Sequence, residues 1–181
     1  VAAVSWCALL LAEFGAFSGL RVLVCAGAIT ATVAFAGWRD LRAAFAARGA
    51  VTPSALTSLV LTLACAAALV SRPGECLIDG RDASVYVAIG RMIERTGGIV
   101  SSDPLRGIVG GDALDPLLAR DTLWPHDRMR FPGGIQVPDA TGRLAPPFHH
   151  LLPAWIATAS SLAGPRAGYF VGGVFGVLSV F

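Results

Sequence analysis

Residues 54–71 read SALTSLVLTLACAAALVS, a stretch without a single charge. As an α-helix it would be about 27 Å long, close to the ~30 Å hydrocarbon core of a bilayer. Thr52-Pro53-Ser54 in front of it is a helix start, with the proline in the first turn, and Arg72-Pro73-Gly74 closes it. Working outward, four more apolar runs appear. Residues 1–19 are interrupted only by Glu13, and residues 22–38 end at Trp38, an interface anchor. Another run covers roughly 148–163, bounded by Gly164-Pro165-Arg166, and a fifth starts near Ala167. The expected fold is an all-α polytopic membrane protein with about five transmembrane helices and one long outer loop.

Composition agrees. Of 181 residues, 55% are hydrophobic and 14% charged, against about 25% charged in soluble domains. The mean hydropathy is +0.67. Long apolar stretches with little charge exclude disorder, collagen and a disulfide scaffold. A net charge of +2 is too small to suggest a nucleic-acid partner. All basic residues are arginine, and this bias with abundant alanine hints at a GC-rich bacterial genome. Val1 is not methionine and Phe181 falls inside an apolar run. The expectation is therefore a fragment, truncated at the C-terminus and inactive by itself. The start does not read as a signal peptide, having no basic leader and Glu13 in its apolar part.

Orientation follows from the short loops. Residues 39–52 carry Arg39, Asp40, Arg42 and Arg48, and Arg166 lies in the last turn. Both segments are expected to be cytoplasmic, which puts residues 72–147 outside the plasma membrane. Arg21, in the turn after the first run, goes against that arrangement. Two regions result: a two-helix membrane hairpin with its basic loop over 1–52, and a second membrane unit over 53–181. The outer loop holds nine arginines and ten acids, 19 of the 26 charged residues.

Chemistry is expected in that loop, since unstructured connections beyond about 12–15 residues are unusual unless functional. Asp82, Val85, Tyr86, Ile89, Met92 and Ile93 follow a helical period. Arg91, Glu94 and Arg95 take the other side, and Gly97-Gly98 ends the pattern. This predicts an amphipathic interfacial helix over 82–96. Asp82 has two compatible readings. It is a favoured helix N-cap, and it is a carboxylate on the apolar stripe, placed to take a proton from a nucleophile at the membrane boundary. Asp79 is the backup for that role. Arg81 is either solvated or steadies a carboxylate or phosphate.

Further along, Asp112 and Asp115 lack the rest of a calcium loop. Trp124-Pro125-His126-Asp127 reads as a turn or as a surface for stacking on a sugar. His149 and His150 stand at the mouth of the fourth run, with Trp155 as anchor. They are interfacial histidines without a ligand, or hydrogen-bond donors to a phosphate or hydroxyl. Being adjacent, they diverge and do not easily serve one site. Cys7, Cys25 and Cys65 read as small packing residues, Cys76 stands alone in the loop, and no metal-ligand spacing appears. A divalent metal cofactor is thus not indicated.

Two stretches together carry a resemblance. The run Asp79-Gly80-Arg81-Asp82-Ala83-Ser84-Val85-Tyr86-Val87-Ala88 resembles the first outer loop of C-type membrane glycosyltransferases. These are the family 39-like enzymes, related to protein mannosyltransferases and aminoarabinose transferases. Asp82, Tyr86 and Gly97 match the aspartate, tyrosine and closing glycine of that pattern. Pro146-Pro147-Phe148-His149-His150-Leu151-Leu152-Pro153-Ala154 is similar to the family's proline–aromatic approach to the next span. Gly164-Pro165-Arg166-Ala167-Gly168 matches the turn after it. The resemblance covers residues 54–181. It implies transfer of a sugar from a polyprenyl-phosphate donor to an acceptor hydroxyl on the outer face, with Asp82 as base. Arg81, Tyr86, His149 and His150 would be the substrate-binding residues. The implied partners are the bilayer, the lipid-linked donor and an acceptor. Ala83 stands where close relatives carry a second acid, which argues against a two-carboxylate mechanism there, and two spans precede the family's first.

Two other classes compete. A transporter fragment needs ionisable groups within the spans, and only Glu13 offers one. A non-catalytic membrane assembly protein would use the outer loop as a binding surface.

Overall fold

A computed structural model describes residues 1–47, 52–71, 82–103, 106–109, 118–120, 128–130, 134–136, 142–146 and 148–178. The chain is mostly helical. Helix α1 covers Ala2–Glu13, α2 Gly19–Ala36, α3 Trp38–Ala46, α4 Pro53–Val70 and α5 Asp82–Thr96. After a short α6 (Arg106–Val109) and a small sheet come α7 (Leu151–Ala163), a 3-10 helix (Pro165–Phe170) and α8 (Val171–Leu178).

Local chemistry sets several of these boundaries. The Ser18 hydroxyl accepts from the Arg21 amide at 3.2 Å and starts α2. Thr52 does the same for α4, accepting from the Ala55 amide at 3.3 Å with Pro53 in the first turn. The expected loop helix is observed as α5. Gly97, at φ +78°, ends it while its amide bonds the Ile93 carbonyl at 2.9 Å.

The first apolar run does not continue to residue 19. Helix α1 stops at Glu13, because Gly15 takes φ +67° and the chain turns there. Glu13 is thus the last residue of a helix rather than an interruption within one.

The outer-loop region holds a feature the sequence reading did not anticipate. Five short strands, β1 (Ser101–Ser102), β2 (Leu118–Arg120), β3 (Arg128–Arg130), β4 (Gly134–Gln136) and β5 (Arg143–Ala145), form an antiparallel sheet in the order β1-β5-β4-β3-β2. Ser101 pairs with Leu144, and Ile135 with Ala145. The sheet brings both ends of the region together, so the chain leaving α5 runs beside the chain approaching α7.

The core lies among α1, the first turns of α2, α5 and α7. It contains Cys7, Ala8, Ala12, Val22, Ile89, Ile93, Ala154 and Ala157. Helices α5 and α7 make the most extensive contact. They approach closely at Gly90, where a Cβ would lie 2.6 Å from Ile156 Cγ2 and 3.1 Å from the Pro153 carbonyl oxygen. The α1–α2 turn closes over the end of α5: the Phe17 amide bonds the Gly97 carbonyl at 2.8 Å, and the Ile99 amide the Ala12 carbonyl at 3.3 Å. Cys7 packs in this core, whereas Cys25 and Cys65 are exposed on their helices.

Among the described residues one helix, α2, is long and apolar enough to cross a membrane, with 17% of it buried. Ala2–Glu13, Pro53–Ala68 and Leu151–Ala163 are shorter apolar helices. Gly19, at the start of α2, rests against Ser161 and Leu162 near the end of α7. The arginine pattern had assigned the two adjoining turns to opposite membrane faces. With 13 residues against 18, α7 is the shorter of the two helices.

Candidate functional site around α5 and the mouth of α7

Asp82 is the first residue of α5, and Tyr86 lies one turn further on, so the two share a helix face. The Asp82 side chain lies outside the described residues, as do Asp79, Arg81, Cys76, Asp112, Asp115 and segment 124–127. Tyr86 is half-buried and meets Phe148 edge-on, with ring centroids 5.5 Å apart and planes at 69°. That contact is the direct link between the two sequence landmarks. Phe148 itself packs on the edge of the core.

The two histidines diverge, as adjacency required. His149 is exposed. His150 precedes the first turn of α7 and turns inward, its Nδ1 2.7 Å from Glu13 Oε1 and its Nε2 3.4 Å from the Pro146 carbonyl oxygen. Glu13 is 40% exposed at its side chain, so the pair sits at a boundary between packed protein and its surroundings. His150 is therefore committed to the fold, and of the two His149 is the one open to a substrate.

Other polar groups tie the same elements together. Trp155 Nε1 donates to Ser5 Oγ at 3.0 Å, joining α7 to α1, and its ring meets Phe175 of α8 edge-on. Arg91 donates to Glu94 Oε2 at 3.1 Å and to the Pro165 carbonyl at 2.9 Å. Partial burial works against its charge, but its bonds with Glu94 and Tyr169 outweigh this and hold the guanidinium above its ordinary range. Arg91 thus clamps α5 to the turn after α7 and is not a solvated-face residue.

Sequence reasoning missed Asp103. It follows β1 directly and is 8% exposed, the one buried acid among the described residues. Its signal, an aspartate before Pro104, is too common to single out. Among the described residues no group of three histidine, cysteine or acidic side chains is placed to hold a metal. An apolar groove of about 330 Å³ lies between α4 and α8, lined by Leu63, Ala66, Phe170, Val174 and Leu178 among others. None of the sequence-predicted site residues lines it.

What the described arrangement offers chemically is a helix start carrying a carboxylate residue, an aromatic pair one turn on, and an exposed imidazole, His149, next in sequence to the half-buried His150. No protein-family model, curated protein or solved structure matches the chain.

Proposed function

We propose that the chain belongs to a bacterial integral-membrane glycosyltransferase, of the hexosyltransferase kind, in the plasma membrane. It moves a sugar from a polyprenyl-phosphate donor to an acceptor hydroxyl on the outer face. In this reading α2 crosses the bilayer, and α4, at 18 residues, is the second span by length. The embedded segments α1, α7 and α8 bring the number of membrane helices to five. Segment 72–147 lies outside.

The observation that carries the reading is the Tyr86–Phe148 contact. The two landmarks of the resemblance, more than sixty residues apart in sequence, meet as a functional unit requires. Asp82, one turn before Tyr86, takes the proton of the acceptor hydroxyl. The hydroxyl oxygen attacks the anomeric carbon, and the lipid phosphate leaves with the electrons of the broken C–O bond. Arg81 and His149 supply donors for that phosphate, Tyr86 borders the sugar, and His150 holds the mouth of α7 in place through Glu13. Asp79 is the alternative base.

The test is transfer from a polyprenyl-phosphate sugar in proteoliposomes of the full-length protein. Asp82→Asn keeps shape and hydrogen bonding but removes the base, so turnover should fall at least about 100-fold while donor binding persists. Unchanged turnover in Asp82→Asn would refute the assignment. Transfer lost only in Asp79→Asn would move the base to Asp79. Absence of transfer in the unmodified protein, with the fold intact, would favour a binding surface for assembly.

A further inference from the structure

We infer that α3 is a membrane-surface helix that binds the anionic lipid headgroups of the leaflet where α2 emerges. This rests on the reading that α2 crosses the bilayer, and goes beyond it.

Helix α3 has nine residues, Trp38–Ala46, and none of them is buried. Isolated helices shorter than about 12–15 residues are marginal in water, so this one needs a surface against which to fold. Its sequence specifies the kind of surface. Trp38, Leu41 and Phe45 follow at i, i+3 and i+7, so they share one face, and they are 55%, 39% and 63% exposed. Arg42 borders that face, next to Trp38, while Arg39 and Asp40 both point away from it. The Arg42 guanidinium lies over the Trp38 ring, 5.5 Å from its centroid, so cation and indole occupy one level. An indole beside a cation at the rim of an apolar face suits the headgroup boundary. Only Gly37 separates α3 from the end of α2, so a membrane-crossing α2 delivers this face directly to the interface. Two arginines against one aspartate favour an anionic surface. At about 1 kcal/mol per arginine near such a surface, less the repulsion of Asp40, the preference for anionic over zwitterionic lipid should be about fivefold to tenfold.

Amide hydrogen exchange on the full chain, in vesicles of phosphatidylcholine with or without phosphatidylglycerol, tests this. The α3 amides should exchange about fivefold to tenfold more slowly with phosphatidylglycerol present. Arg39→Gln/Arg42→Gln should abolish that difference, and Leu41→Ser/Phe45→Ser should remove protection in both lipids. Protection of α3 that is equal in both vesicles and survives in detergent would overturn the inference, showing a protein partner on this face. Rapid exchange of α3 beside a protected α2 would also overturn it. Rapid exchange of both helices would instead remove the membrane-crossing reading of α2 on which it rests.

Discussion

Replacing Gly90 with alanine probes the contact on which the proposed site depends. In an isolated helix the change is favourable by about 0.8–1.0 kcal/mol. Here the new Cβ would lie 2.6 Å from Ile156 Cγ2 and 2.9 Å from Ile156 Cβ, where carbon atoms prefer about 3.5–4.0 Å. Ile156 is buried, and a β-branched side chain in a helix has one strongly preferred rotamer, so it cannot swing aside. The Pro153 carbonyl oxygen, at 3.1 Å, is backbone. Relief requires α5 to move about 1 Å away from α7, forfeiting a quarter to a half of the dispersion energy of each contact that opens. Overpacking of this kind costs about 1–3 kcal/mol, so after the propensity gain the net loss is about 0–2 kcal/mol. For a chain of this size the midpoint of thermal unfolding in detergent should fall by up to roughly 8 °C, and by more than that relative to a glycine-to-alanine change that meets no neighbour.

Gly27→Ala in α2 is the matched control, because a Cβ there meets nothing within 4 Å, and it should leave the midpoint unchanged or raised. In a double-mutant cycle, Gly90→Ala combined with Ile156→Ala should lose less than the sum of the single changes, by about 1 kcal/mol. If Gly90→Ala melts at or above the temperature of Gly27→Ala, the close approach of α5 to α7 is wrong, and with it the support for the Tyr86–Phe148 juxtaposition.

Two further expectations concern the connections around that contact. Glu13→Ala removes the acceptor of His150; with Glu13 40% exposed, the loss should be about 1 kcal/mol, at the low end for charge-assisted bonds. Thermal unfolding should show it, the ring 15N shifts of His150 should change, and His149→Ala should do neither; equal effects of the two would show that no such pair exists. Gly97→Ala places a Cβ at φ +78°, which costs about 1–2 kcal/mol, whereas Gly97→Asn should cost less because asparagine visits that region more readily. Equal losses for alanine and asparagine would refute the left-handed closure of α5.

What could be read from the sequence was local. Helix α5 was legible from Asp82 to Thr96 because its period, its polar side and its glycine stop all lie within one segment. The start of α4 was legible in the same way, through Thr52 and Pro53, whereas Ser18, lying inside the run read as 1–19, did not stand out as the start of α2. What was not legible came from distant partners. Glu13 looked like a flaw in a span, and its partner His150 lies 137 residues away. Arg91 read only as part of the polar side of α5, and its tie to Pro165 crosses 74 residues. The five strands escaped notice because each is two or three residues long, too short for an alternating pattern to register against the surrounding glycine and proline.

The distribution of exposed apolar surface bears on the membrane reading more strongly than composition does. On α4, Leu56, Leu59, Val60, Leu61 and Leu63 are all exposed. At 100° per residue Leu56, Leu59, Val60 and Leu63 share one broad face, Leu61 lies across from it among Ser54, Thr57, Ser58 and Thr62, and no side of the helix carries a charge. Helix α2 behaves alike past its first turns: Val22 and Ala26 are buried, while Ile29, Val33 and Phe35 are exposed. By contrast α5 buries Ile89 and Ile93 and turns Arg95 outward, as a helix wetted on one side should. Neither α2 nor α4 has a charged residue beyond Arg21 with which to hold water. A bilayer covers such surface on every side at once, whereas a protein partner covers one side. The burial pattern therefore separates two parts of the chain: α2 and α4, whose apolar side chains are largely exposed, and a packed cluster of α1, α5 and α7 where Glu13, Arg91 and His150 are gathered.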